Sequence, residues 1–269
     1  MIWVDACAQA LYDCRVLIKM AEVLGKTEYI EELDTEANIL FKVINEKLWD
    51  EKTSFYYDLW KNGEFNYVHH AGAFWNLIAE TVPETMLDRF ISALNDEELF
   101  KTPNRVPCLS KDNSEYESTG GYWCGGVWAP TNLCAIKGLA KNGYGEYARE
   151  ASIKYLDGMC KVEKDIAYGS IWECYAPESY RPATTEYNTL SRAEFVGWSG
   201  IAPITLLIEN IIGLEFNAQE NLVTFNLNER GKCGLENMIF NSNNISVVCT
   251  EYVPFKDQTT IEVEAQKPF

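Results

Sequence analysis

The hydrophobic spacing of this chain changes once, near residue 211, and that change limits the fold more than any other feature. Before it, apolar residues recur every three or four positions, the spacing of helices with one buried face. Val4, Cys7, Ala8, Leu11, Cys14, Ile18 and Ala21 form one stripe, and Gly25 follows as a stop signal. Ile30, Leu33, Ala37, Leu40, Phe41, Ile44 and Leu48 form a second, with Thr27 as its cap and Glu31 near the capping-box position. Further helices are predicted over 71–80, 83–94, 130–140, 145–159 and 199–211. After Gly213 the spacing is two. Segments 221–227, 244–249 and 260–264 alternate apolar and polar residues, with Asn and Gly clusters between them. Residues 213–269 therefore read as a small antiparallel β unit of four or five strands, packed directly on the helices.

Two long irregular segments, 101–126 and 161–194, interrupt the helical part. Long loops inside a compact domain are usually functional. Helix pairs with such loops on one face imply a helical toroid whose loops line a central pocket. The loops and their borders hold Trp60, Trp123, Trp128, Trp172 and Trp198, five of the eight tryptophans. Aromatic faces flanked by carboxylates suit sugars, because the C–H face of a pyranose packs on the ring while its hydroxyls take the polar groups. Plain core packing explains the same rings. Glu173 stands between Trp172 and Tyr175. Flanking rings partly desolvate a carboxylate, which is one way an acid or base is tuned; a rim residue or ion-pair partner is the plain alternative. Asp5 and Gln9 are four apart and share a helical face, so they can reach one pocket together. Asp5 can equally serve the helix dipole.

Composition removes other classes. Lys and Arg total 23 against 40 Asp and Glu, a formal net charge of −17. Such a surface repels phosphate backbones and anionic lipid heads, which excludes nucleic acid and membrane partners and favours a neutral or weakly charged ligand. The nine cysteines form no CxxC and lie mostly in apolar runs, so a reducing, cytoplasmic location without disulfides is expected. No signal peptide is visible at the start. The only two histidines, His69 and His70, are adjacent and point apart, a poor arrangement for a metal or a Ser/His/Asp site. There is no GxGxxG, P-loop or GxSxG frame. Neither a metal nor a cofactor is expected.

The string Gly121-Tyr122-Trp123-Cys124-Gly125-Gly126-Val127-Trp128-Ala129-Pro130-Thr131-Asn132 resembles a "YWRGxxWxPxN" motif. That motif marks the glycoside hydrolase clan of trehalases, family 63 processing α-glucosidases and mannosylglycerate hydrolase-like enzymes. Trp172-Glu173-Cys174-Tyr175-Ala176-Pro177-Glu178 resembles the clan's "xENYxPE" motif, and Trp198-Ser199 the pair that opens its final barrel helix. Trp3-Val4-Asp5-Ala6 with Gln9, and Leu48-Trp49-Asp50 with Phe55-Tyr56-Tyr57-Asp58, are similar to its middle helices. The resemblance implies a mainly α fold, a partial (α/α)6 barrel over 1–212 followed by the β unit over 213–269. It implies hydrolysis of an oligosaccharide or small glycoside with inversion, which uses a carboxylic acid and a carboxylate base. Glu173 falls on the base. Trp123, Trp128, Tyr175 and Trp198 fall on sugar-binding positions, and Asp5 and Gln9 on polar positions facing the pocket.

Two departures carry expectations of their own. Cys124 replaces the Arg of "YWRG", so one charged sugar contact is missing. The clan's general acid lies upstream of the helix that begins near Trp3, so the chain reads as the C-terminal part of a catalytic domain. Asp5, Glu178 and Glu194 are the substitute acids on offer. Completion then requires an upstream half of the barrel or a second copy. The alternative is a non-catalytic carbohydrate-binding protein, or a half-barrel needing a partner chain. A sugar epimerase or lyase ranks last, since such chemistry leans on His or Tyr from separate helices.

Overall fold

A computed structural model describes residues 1–227, 231–253 and 258–267. The chain forms two compact units, Met1–Ala202 and Pro203–Phe269. The first is built of helices; the second is mostly β.

Helix α1 (Val4–Leu24) buries Val4, Ala8, Leu11, Cys14 and Ala21, the face its apolar stripe marks. It ends in a Schellman turn: Gly25 adopts φ +67°, its N–H reaches Glu22 O at 3.2 Å, and Lys26 N–H reaches Ala21 O at 2.8 Å. Its N-terminus has no local cap. Asp58 supplies one from 54 residues away, accepting the Val4 N–H at 2.8 Å. The capping box expected at Thr27 does not form. Thr27 is spent in a 3-10 turn, Thr27–Tyr29, which leaves Tyr29, without a side-chain acceptor, before α2 (Ile30–Val43). Of the predicted α2 stripe only Ala37 is buried within the helix. A π-helical turn, Ile44–Leu48, then rotates Ile44 and Leu48 inward.

The predicted helix over 71–80 is a 3-10 turn, Ala71–Phe74, followed by a single α turn, α3 (Trp75–Ile78). Glu80 at φ +54° stops it. Helices α4 (Glu84–Ser92), α5 (Ala129–Lys141) and α6 (Gly145–Lys164) follow; α6 runs five residues beyond its expected end. α1 packs on α2, and α5 packs on α3 and α6. Phe55, Phe74, Phe90 and Phe100 cluster with ring centroids 5.0–6.1 Å apart. α7 (Gly197–Leu206) and a π turn, Leu207–Ile212, lead into the second unit.

The irregular segments pair with one another. A hairpin joins β1 (Trp49–Asp50) to β2 (Phe55–Tyr56), and β3 (Val127–Trp128) pairs antiparallel with β4 (Cys174–Tyr175). Single bridges extend the β3–β4 pair: His70 to Leu109, Pro107 to Val127 and Tyr175 to Pro182. Loops distant in sequence thus share one hydrogen-bonded layer, and that layer carries the site.

In the second unit, β5 (Leu214–Asn217) pairs with β6 (Leu222–Phe225). β7 (Cys233–Phe240), β8 (Asn243–Val253) and β9 (Gln258–Ala265) form an antiparallel meander. Its apolar centre is Leu214, Phe240, Ile245 and Val247, with Ile208 and Ile212 against it.

Candidate active site

Glu173 sits at a bend just before β4, its backbone fixed on both sides. Its N–H donates to Arg192 O at 2.9 Å, and its carbonyl accepts the Trp198 indole N–H at 3.3 Å and the Ser199 hydroxyl at 3.1 Å. The first turn of α7 therefore holds the segment that carries the carboxylate. The side chain is half-buried, and Tyr122 donates its hydroxyl to Oε1 at 3.3 Å.

An aromatic wall stands beside it. Trp128 is only 1% exposed and lies under Trp123, the two rings parallel at 4.1 Å and 6°. Tyr122 meets Trp128 edge-on at 4.7 Å, and Trp198 lies 6.1 Å from it. Trp123 is 56% exposed and Trp198 41%, so both are open to solvent. The wall depends on one tight turn. Tyr122 adopts φ +59°, and its carbonyl accepts both the Gly126 N–H at 3.0 Å and the Trp128 indole N–H at 3.2 Å. A Cβ on Gly126 would lie 2.4 Å from that carbonyl, so only glycine fits. Asn132, fully buried in the first turn of α5, donates to Val106 O at 3.0 Å and Trp128 O at 2.9 Å and accepts the Val106 N–H. It ties the 105–110 segment to the floor of the wall. Burial pushes the Cys108 and Cys174 thiols up to about 12, so both remain neutral packing groups.

The other sequence-selected residues lie as follows. Tyr175 is 3% exposed and its hydroxyl accepts the Trp172 N–H at 3.1 Å, which makes it part of the packing behind Glu173. Asp5 and Gln9 are half-buried on α1; Asp5 accepts the Ala6 N–H at 2.7 Å. Among the described residues no hydrogen bond or ion pair joins either to the Glu173 cluster. Glu178 accepts the Tyr116 hydroxyl at 3.0 Å. Cys124, at the Arg position of the motif, has the carboxylates of Glu115, Glu117 and Glu186 around it, and burial together with those charges raises its thiol.

Tyr122 stands in the quoted motif, but nothing in the sequence pairs it with Glu173. A second feature had no sequence signal, a chain of polar contacts: Tyr57 OH to His69 Nε2 at 2.5 Å, His69 Nδ1 to Asp112 at 2.8 Å, and Ser110 donating to Asp112. The two histidines do point apart, and each finds its own carboxylate, His70 facing Asp58 at 3.4 Å. Among the described residues no group of three or more His, Cys, Asp or Glu side chains could hold a metal ion. No described helix is long and apolar enough to cross a membrane.

Comparison with known proteins places these features in a family. A family model described as the mannosylglycerate hydrolase MGH1-like glycoside hydrolase domain matches residues 4–191. An uncharacterized protein from Borreliella burgdorferi is 28% identical over 254 residues, covering 92% of this chain and 53% of that protein. A probable mannosyl-oligosaccharide glucosidase from Schizosaccharomyces pombe is 23% identical over 211 residues, covering 73% of this chain and 25% of that one. The crystal structure of the GH63 mannosylglycerate hydrolase from Thermus thermophilus superposes with a TM-score of 0.60 at 22% identity, over 76% of this chain and 44% of its own. The chain thus spans about half the length of the first relative and a quarter of the second.

Proposed function

The chain belongs to the mannosylglycerate hydrolase MGH1-like glycoside hydrolase domain family, and from that premise we propose that it is the base-carrying part of an inverting glycosidase. The observation that carries this reading is the Glu173 carboxylate bonded to Tyr122 of the aromatic wall, with the exposed Trp198 anchored on the Glu173 carbonyl and the exposed Trp123 next to Tyr122. The rings stack on a pyranose, and Glu173 activates water on the face opposite the leaving group. The substrate is an oligosaccharide or small glycoside; an α-mannoside or α-glucoside follows the names of the relatives. Trp128 and Tyr175 support the wall from beneath, and Asp5 and Gln9 face the pocket from α1.

Residues 1–212 are read as part of an (α/α)6 barrel, with α1/α2 and α5/α6 as two of its helix pairs, and 213–269 as an appended β unit. The general acid comes from outside these 269 residues, on an upstream barrel half or a second copy. The exposed apolar residues Leu17, Met20, Leu24 and Phe41 on α1 and α2 support such a partner. Nine cysteines, none of them in a disulfide, support a reducing, cytoplasmic setting.

Glycosyl fluorides test the base alone, because fluoride leaves without protonation. The chain is expected to hydrolyse α-mannosyl or α-glucosyl fluoride and to release the β-anomer first, read by proton NMR. Glu173→Gln should cut the rate about 10²- to 10⁴-fold. Turnover that survives this substitution refutes the base, and an α-anomeric product refutes inversion. Sugar binding that quenches Trp123, with neither fluoride turned over, gives the second reading, a carbohydrate-binding protein.

A further inference from the structure

Tyr122 does more than fill the wall. We propose that it is the positioning residue of Glu173, its hydroxyl fixing the carboxylate rotamer and leaving Oε2 for the attacking water; this rests on the reading of Glu173 as the base. The backbone of Tyr122 is over-determined. Its N–H donates to Thr184 O at 2.6 Å, its carbonyl takes two donors, and its φ of +59° is the left-handed region that a tyrosine enters only when its surroundings enforce it. The ring is pinned edge-on to Trp128 and lies 6.0 Å from Trp123. The phenol therefore has one direction, and Glu173 Oε1 lies along it at 3.3 Å. The carboxylate has no other protein donor among the described residues. The backbone of Glu173 is anchored at three points, so this single bond decides where its oxygens sit.

Burial, followed by the Glu173 carboxylate and then Cys174 and Glu186, raises the Tyr122 phenol above its ordinary value. It stays protonated, and a donor, throughout the neutral range.

Two readouts test the pair in the full chain. With tyrosine labelled at 13Cζ, the Tyr122 phenol titration should move to lower pH in Glu173→Gln, since the neutral amide no longer opposes ionisation. This readout needs no substrate. In Tyr122→Phe, kcat for the fluoride should fall about tenfold or more at unchanged KM, because the carboxylate is no longer held where it meets the water. A merely structural role would loosen the wall and raise KM as well. An unmoved phenol titration, or an unchanged kcat in a folded Tyr122→Phe, overturns the proposal. If hydrolysis survives Glu173→Gln while the phenol titration falls, the base reading fails and the pairing stands.

Discussion

Asn132→Ala is the most direct test of how the site is built. Asn132 makes three side-chain hydrogen bonds, two to the backbone of Val106 and one to the Trp128 carbonyl. The Trp128 carbonyl keeps the Thr131 hydroxyl at 3.1 Å after truncation. The Val106 C=O keeps the Trp128 N–H of the Pro107–Val127 bridge, but the Val106 N–H keeps nothing, and Val106 is buried. An orphaned backbone group costs about 1–3 kcal/mol, so the loss should be about that much. All eight tryptophans fall within Met1–Ala202, so fluorescence during urea unfolding reports that unit alone. With a slope of about 2 kcal/mol per molar, the midpoint should drop by about 0.5–1.5 M. Asn132→Asp should be at least as damaging at neutral pH, since it sets a carboxylate against two carbonyl oxygens. A midpoint within about 0.25 M of the wild type at unchanged slope would refute the reasoning.

Two further substitutions probe the frame. Burial pushes the Asp58 carboxyl up, but the His70 ring 3.4 Å away and the Val4 N–H hold it below its ordinary value. Its contribution is therefore complete above the unfolded carboxyl value of about 3.9 and fades as pH falls through the lower folded value. Asp58→Ala should cost about 1–2 kcal/mol at neutral pH and flatten that part of the acid-unfolding curve; an unchanged acid midpoint counts against the cap. Gly138→Ala should lower the melting temperature despite alanine's better helix propensity, because the new Cβ would meet Leu77 Cβ at 2.4 Å and Ile78 N at 2.7 Å. An unchanged or raised melting temperature would show that α3 and α5 can separate freely.

Features that live within one helical turn or one strand were readable. The stripes of α1, α5 and α6, the Gly25 stop and the alternation of β6, β8 and β9 are local patterns, and the elements lie where the patterns are. Features made by distant partners were not readable. The α1 cap comes from Asp58, so no inspection of 1–10 could find it. The pairing of β3 with β4 joins two-residue strands across 46 positions of chain, too short to show any period. β7 was hidden for another reason: its register shifts between Leu235 and Met238, which breaks the alternation.

The site motif divides by burial, and the division matters for what it can predict. Gly126, Trp128 and Asn132 are buried and serve the turn and the floor. Trp123, Trp198 and Glu173 are the members that a ligand can touch. A chain could keep every buried member, fold the same wall and match the same pattern with no chemistry left. The motif therefore argues for the architecture through one set of residues and for the reaction through another. Cys124 shows the two separating: the wall stands around it, although the charged group expected at that place is gone. The hydrolysis test consequently has to fall on Glu173 and its donor Tyr122, with the tests on Asn132 and Gly138 as separate reports on the frame.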